Sequence, residues 1–344
     1  MEINKCNSFS SLPKGDYVLF GAGGMGQYVL KELKQRRNDI SIIGFADDSK
    51  KGEVEGLPIN RLESFENYDH LLITSSYWRK ISSKLKGVSQ VFIADFLSSR
   101  SETEVMEREV NGFQLKFFTP NKFLVQVSKQ FEKIEPNLIE WIHSFEKGTT
   151  FYDIGASNGV YGIYAAIVAE VEVIAFEPDV QNFAIMDYNH YLNSDKIEKF
   201  TALNIGLGEK SGFLPLQCQE FLAGAHGKVF NLDAREQQSQ METEFTRNVY
   251  VDCLEGFPTK YNVRAPDYVK IDVDGAEKMI LRGAKSLLAS GGVKEWMIEV
   301  EESVFPEIHK MMMEYNYSLQ GEYTINEVIL TPVSGVKNYH FVKI

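Results

Sequence analysis

Short apolar runs alternate with amphipathic stretches along all 344 residues, and the spacing predicts strands and helices in turn over two blocks. In the first block Asp16 to Phe20 reads as a strand, and Gln27 to Arg36 as a helix with Val29, Leu30 and Leu33 on one face. Ser41 to Ala46, Leu71 to Ser75 and Val91 to Ala94 read as further parallel strands, with residues 80–86 helical between the last two. The second block starts with a strand at Phe151 to Ile154, a helix carrying Ile163, Ala166 and Ile167, and a strand at Val171 to Phe176. A helix over 179–193, strands at 199–203 and 267–272, a helix over 278–288, a strand at 295–300, a helix over 301–316 and closing strands at 317–330 and 338–344 complete it. Such alternation makes α/β layers. The expected architecture is two Rossmann-like α/β domains, over 1–97 and 149–344, joined by a helical connector over 98–148. Within the connector the charges of 102–109 fall at helical spacing and read as a solvated face. Gly112 to Phe118 reads as a strand, and residues 121–145 as helices broken near Pro136, whose ring removes a backbone donor.

Composition narrows the classes of function. A chain of this length suggests two domains, and 36 basic against 48 acidic residues give a net charge of −12. With no dense basic run, a nucleic-acid partner is not expected. Three scattered cysteines, Cys6, Cys218 and Cys253, argue against a disulfide framework or a zinc site and for a reducing cytoplasm. No apolar run is long enough to insert in a membrane. A small-molecule or glycan acceptor is the expected partner, and a homo-oligomer is left open.

Candidate chemistry concentrates where apolar runs end in acids. Asp153-Ile154-Gly155-Ala156-Ser157-Asn158-Gly159 is a strand end, a tight turn and a helix start. Gly155 and Gly159 let backbone approach a ligand, and the N–H groups opening the helix can hold a carboxylate. The next strand ends in Glu177-Pro178, where an acid can accept both ribose hydroxyls. A dinucleotide needs G-x-G-x-x-G spacing, which is missing here, and Asp153 would face its phosphates. S-adenosylmethionine has no phosphate, and Asp153 can hold its amino group. The segment resembles the FkbM family of S-adenosylmethionine-dependent methyltransferases: D-x-G-A-S-N-G from Asp153, A-F-E-P from Ala175 and K-I-D-V-D-G-A-E from Lys270 stand in the family's order, with Ser157 where the family usually has Asn. Over residues 110–344 the resemblance implies a seven-stranded class I methyltransferase fold with an antiparallel final strand. It also implies a cofactor site of Asp153, Gly155, Ala156, Ser157, Gly159, Glu177 and Pro178. The turn holding Gly206 can line the adenine, though a plain turn fits it nearly as well.

Near the second acidic strand tip, Asp272 can contact the methionine end or the acceptor, and Lys270 can orient an acceptor oxygen. Asp274 and Glu277 have the spacing of a capping box. A divalent ion on Asp272, Asp274 and Glu299 is an alternative means of activating the acceptor. Residues 217–247, polar and aperiodic, read as a substrate loop in which His226 is a candidate base.

The first block carries its own fingerprint: Gly21, Gly23, Gly24 and Gly26 after a strand, then Asp47 at the end of the next. On pattern alone this fits NAD. Residues 14–97 also resemble the N-terminal domain of bacterial sugar O-acyltransferases, which implies a nucleotide-sugar ligand. The expected activity is O-methyl transfer to a sugar or glycan-precursor hydroxyl. An NAD(P)-dependent oxidoreductase and a non-catalytic nucleotide-binding scaffold are the alternatives.

Overall fold

A computed structural model describes residues 2–6, 8–75, 78–85, 90–94, 104–225, 227–230, 243–326 and 335–344. The chain divides into two compact units, one holding residues 1–102, 121–126 and 327–332, the other residues 103–120, 127–326 and 333–344.

The first unit is a seven-stranded sheet in the order Glu2–Cys6, Gln90–Ala94, His70–Ile73, Gly15–Phe20, Ile40–Ala46, Leu57–Asn60, Gly52–Val54. All pairings are parallel except the last, a hairpin. Helix Gly24–Arg36 buries Val29, Leu30 and Leu33 against Tyr17, Leu19 and Phe45. The strand at Glu2–Cys6 and the hairpin at 52–60 add to the four strands expected. Glu2–Cys6 alternates too little over five residues to announce itself and is recruited by its partner some 88 positions on, Ile3 pairing with Val91.

The second unit is built on a seven-stranded sheet in the order Phe200–Leu203, Glu172–Phe176, Thr150–Ile154, Tyr268–Ile271, Glu295–Glu301, Val336–Lys343, Tyr317–Thr324. The first five strands run parallel, and the last two pair antiparallel, as expected. Alternation along each strand separates two apolar layers. Tyr152, Ile154, Phe176, Val269, Ile271, Trp296 and Ile298 face one core, while Phe151, Val173, Ala175, Tyr268 and Met297 face the other. On that second face the register sets Asp153 opposite Lys270 and Glu299 opposite Asn338. Polar side chains thus continue an apolar stripe toward the carboxyl end of the sheet.

Four expectations are corrected here. The charged stretch expected at helical spacing is extended over its described residues: Val105–Val110 is a strand that forms a hairpin with Phe113–Phe118. Arg108 on it is held by Glu132 at 2.9 Å, so its charges are paired across elements rather than along a helix. Residues 217–247 are not simply a loop, because Gly212–Cys218, Lys228–Phe230 and Phe245–Asp252 join Gly206–Leu207 in a four-stranded sheet that covers the first core with Leu207, Leu216, Phe230 and Val251. The helix expected over 278–288 is two, Glu277–Arg282 and Lys285–Ser290. They part at Gly283, where a Cβ would lie 2.0 Å from the Gly208 carbonyl oxygen. The helix after the fifth parallel strand is Phe305–Glu314, shorter than expected because Pro306 sits in its first turn. Its Met312 is buried in the core and Met313 exposed. Among the described residues no helix is long and apolar enough to cross a membrane.

Candidate active site

The turn after Thr150–Ile154 is fixed by backbone geometry. Gly155 has φ +80°, and a Cβ there would lie 1.8 Å from the Asp272 carbonyl oxygen, so only glycine lets the two strand ends meet. Gly159, at φ +78°, N-caps the helix Val160–Val168. Ser157 sits at φ +50°, a left-handed position that suits Asn better than Ser. The Gly155 and Ala156 N–H groups both donate to Phe176 O at 3.0 Å, which ties the turn to the neighbouring strand.

Asp153 is buried at 1% exposure, and among the described residues neither of its carboxylate oxygens has a hydrogen-bond partner. The Gly162 backbone N–H is near enough to pull its pKa down without reaching hydrogen-bond geometry. Its nearest cation is Lys270 Nζ at 3.9 Å. Burial raises its pKa, and Asp272 adds to the rise against the pull of Lys270. Buried carboxylates without hydrogen bonds are costly even with a cation nearby, so the arrangement invites a hydrogen-bond-donating group.

Glu177, also buried, accepts from Ser157 N at 2.8 Å through Oε2 and from Asp179 N at 2.7 Å through Oε1. Burial outweighs nearby Lys228 and these donors and pushes its pKa up to about 7. Each oxygen keeps a lone pair for a hydroxyl. Asp179 N-caps the helix Val180–Leu192 and anchors the inserted sheet through Lys228 at 3.3 Å and Arg247 at 3.2 Å. Asn204 Nδ2 donates to the carbonyl oxygens of Glu177 and Pro178. Beside Pro178 a cavity of about 620 Å³ opens, walled by Asn204, Phe213, Phe245, Arg247 and Tyr250.

At the other strand tip Lys270 is buried and its Nζ donates to Asp272 Oδ2 at 2.6 Å. Burial lowers its pKa, but Asp272, Asp153 and Glu135 together hold it above the ordinary lysine value. Glu299 is driven well above the carboxylate range by burial and by Asp272 and Glu135. The Tyr161 ring lies 5.4 Å from Lys270 Nζ.

The structure brings Asp153, Gly155, Ala156, Ser157, Gly159, Glu177, Pro178, Lys270 and Asp272 to one carboxyl edge of the sheet, where open α/β sheets take ligands. Gly206 is elsewhere: it pairs with Val251 in the inserted sheet, and a Cβ on it would lie 2.6 Å from Phe230 Cζ, so its lack of a side chain serves packing. Asp274 is not an N-cap. That position belongs to Ala276, and Asp274 Oδ2 accepts from Gly227 N and Lys228 N at 2.9 and 3.0 Å. Glu277 accepts from Gly275 N at 2.9 Å and not from the Asp274 N–H of the expected box, and burial raises its pKa to about 8. With Asp274 so engaged, the metal set of Asp272, Asp274 and Glu299 does not form, and no group of metal-ligating side chains converges among the described residues. His226 lies outside the described residues. Glu135 and Asn338 join the site unannounced by the sequence, since no motif marks either and 203 positions separate them.

In the first unit Gly21 adopts φ +112°, and a Cβ on Gly26 would lie 1.9 Å from the Gly21 carbonyl oxygen. Gly23 N-caps the helix that Gly24 begins. Asp47, expected to meet a nucleotide, is already engaged: Oδ2 accepts from Ala22 N, and Oδ1 from Ser49 N and Lys50 N, each at 2.9 Å. Burial pushes its pKa up, but these donors prevail and leave it lowered. The acid braces its own turn.

Residues 153–319 match the model of the FkbM methyltransferase domain, and residues 16–74 that of the PglD N-terminal domain. No curated protein matches the chain. Among solved structures, a protein of Pyrococcus horikoshii designated a transferase is 16% identical, with 77% of this chain and 81% of that one covered and a TM-score of 0.41. TYW2 of M. jannaschii in complex with AdoMet is 12% identical, with 72% and 90% covered and a TM-score of 0.34. TrmK of M. capricolum in complex with S-adenosyl-homocysteine is 13% identical, with 60% and 67% covered and a TM-score of 0.38.

Proposed function

We propose that this chain, whose residues 153–319 match the FkbM methyltransferase domain and residues 16–74 the PglD N-terminal domain, is an S-adenosylmethionine-dependent O-methyltransferase acting on a sugar or glycan-precursor hydroxyl. One observation carries the cofactor assignment: Asp153, buried and without a hydrogen-bond partner among the described residues, stands at the turn where the donor's amino group would need an acceptor. Glu177 would take the ribose hydroxyls on its remaining lone pairs, and the Gly155–Gly159 turn would admit the methionine end without a Cβ in the way. When bound, the sulfonium supplies an electrophilic methyl group.

The chain's own residues then have to hold an oxygen nucleophile in line and take its proton. Lys270, kept cationic by Asp272 and Asp153, can orient an acceptor oxygen. Asp272, one-third exposed at the sheet edge, is bonded to Lys270 through Oδ2. Buried carboxylates favour a cationic donor electrostatically and oppose an anionic group beside the reacting oxygen. The sugar assignment rests on the PglD N-terminal domain match alone. The first unit is proposed to bind a nucleotide-sugar at its Gly21–Gly26 turn, with Asp47 bracing that turn rather than touching ligand.

Incubating the full chain with methyl-labelled S-adenosylmethionine and a set of nucleotide-sugars tests this reading. Label should appear on a sugar oxygen. If NADH binds tightly and S-adenosylhomocysteine does not, the protein is an oxidoreductase instead.

A further inference from the structure

Glu135 stands at the N-cap of the helix Pro136–His143, yet its side chain makes no cap bond. The carboxylate turns inward, is 6% exposed, and Oε1 accepts from Asn338 Nδ2 at 2.7 Å. Asn338, itself 5% exposed, leaves its own Oδ1 without a partner among the described residues. Strand register puts Asn338 beside Glu299, on the face that also carries Asp153, Lys270 and Asp272. The helix begun by Glu135 buries Leu138, Ile139 and Ile142 in that face's core, which fixes where the carboxylate lies. Asp272 at 2.6 Å and Asp153 at 3.9 Å pair with Lys270, the carboxylates of Glu135 and Glu299 also feel its charge, and the Tyr161 hydroxyl acts on Glu135. Asp272 is the poorer base because it is one-third exposed and bonded to a cation at 2.6 Å, whereas Glu135 is buried and bonded to a neutral amide. Asn338 Oδ1 is a buried acceptor waiting for a donor.

We infer that Glu135 is the catalytic base for the acceptor hydroxyl, that Asn338 Oδ1 receives a hydrogen bond from a second hydroxyl, and that the acceptor is therefore a neutral polyol with no anionic group beside the reacting oxygen. The inference rests on the methyltransferase reading and names its substrate class. The acceptor's O–H proton passes to a Glu135 oxygen, the acceptor oxygen's lone pair forms the bond to methyl, and the C–S bonding pair stays on sulfur. Burial and Asp272 raise the Glu135 pKa, which brings a carboxylate closer to the strength a hydroxyl requires. An anionic acceptor would add a like charge to the cluster at a cost of several-fold to many-fold in binding.

The test uses the full chain, methyl-labelled S-adenosylmethionine and two probe sets at equal concentration: the methyl glycosides of glucose, mannose, galactose and rhamnose, and the methyl glycosides of glucuronic and galacturonic acid. Titration with S-adenosylhomocysteine and a thermal melt come first, so that failure of the methyltransferase reading shows before any acceptor is added. Label should enter neutral glycosides about 30-fold faster than uronates. Glu135→Gln should lower kcat about 100-fold, with acceptor KM and S-adenosylhomocysteine affinity within about threefold of the parent. It should also abolish the rise of kcat with pH that Glu135, facing Lys270, Asp272, Glu299, Tyr161 and Asn338, imposes on the parent. Asn338→Ala should raise KM about tenfold and, by removing the donor to Glu135 Oε1, move the rise of kcat to higher pH. Uronates labelled as fast as neutral glycosides, or no glycoside labelled by a protein that binds S-adenosylhomocysteine, would overturn the acceptor class. A Glu135→Gln protein with near-parental kcat and pH profile, or one that loses S-adenosylhomocysteine affinity as steeply as kcat, would overturn the base.

Discussion

The two glycine turns of this chain share a plan and differ in one respect. Each follows a strand, opens a helix, and is succeeded by a strand ending in an acid, Asp47 in the first unit and Glu177 in the second. In the first, the acid spends its carboxylate on the backbone of its own neighbourhood and is held ionised. In the second, Glu177 is also bonded to backbone, but burial raises its pKa to about 7, and Asp153 beside it has no hydrogen-bond partner among the described residues. A glycine fingerprint therefore reports that a strand and helix pack closely. Uncompensated polarity is what distinguishes a turn that waits for a ligand from one that is complete.

Glycine substitutions should affect both turns alike and most severely. Gly155→Ala and Gly26→Ala each place a Cβ within 2 Å of a backbone carbonyl oxygen, at 1.8 and 1.9 Å. Each should cost more than about 4 kcal/mol or prevent folding of its unit, measured by denaturant unfolding. If one turn tolerates alanine, the packing equivalence of the two fails.

Removing the acids should separate them. Asp153→Asn should weaken S-adenosylhomocysteine binding about 100-fold, close to 3 kcal/mol, while leaving the melting temperature equal or higher, because a buried carboxylate without hydrogen bonds is gone and Lys270 keeps Asp272 at 2.6 Å. Asp47→Asn should do the reverse: lose about 1–2 kcal/mol of stability in denaturant unfolding with S-adenosylhomocysteine affinity unchanged. Same-sign effects on stability would erase the distinction.

A titration sharpens it further. Because the folded pKa of Glu177 lies above its unfolded value, the native state holds the extra proton, and stability contributed by this group is present below pH 4.5 and lost as pH rises toward 7. Glu177→Gln should remove a decline on the order of 3 kcal/mol at most across that window, seen by comparing unfolding free energies of parent and variant at each pH. Asp47, with its pKa lowered, should show the opposite slope at more acidic pH. The smallest effect belongs to Ser157→Gly, which frees a left-handed residue at φ +50° and should stabilise by up to about 1 kcal/mol.

How much of this was legible in the sequence depends on how local each feature is. The strand, turn and helix around Asp153 and the acid at Glu177 are written in consecutive residues, because period, glycine and strand end all act locally. The antiparallel end of the sheet followed from the FkbM resemblance. The inserted sheet was not legible, since Gly212–Cys218 and Phe245–Asp252 carry exposed residues such as Phe213 and Phe245 that break alternation. The capping box was misread because Asp274 found partners at Gly227 and Lys228, 47 and 46 positions away. Likewise the role of Asp47 was hidden, as nothing in G-x-G-x-x-G says whether the acid reaches a ribose or folds back on Ala22. Glu135 and Asn338 have no local signature at all. They meet only once the second core layer forms, and the sole hint, an acid directly before Pro136, is shared with any proline-started helix.

The most direct test of the central claim is calorimetric titration of S-adenosylhomocysteine and NADH into the full chain and into its Asp153→Asn variant. The account predicts that S-adenosylhomocysteine binds the parent and fails to bind the variant at comparable concentration, with no heat from NADH attributable to the second unit in either. Undiminished S-adenosylhomocysteine affinity in the variant, or NADH binding that Asp153→Asn abolishes, would contradict it.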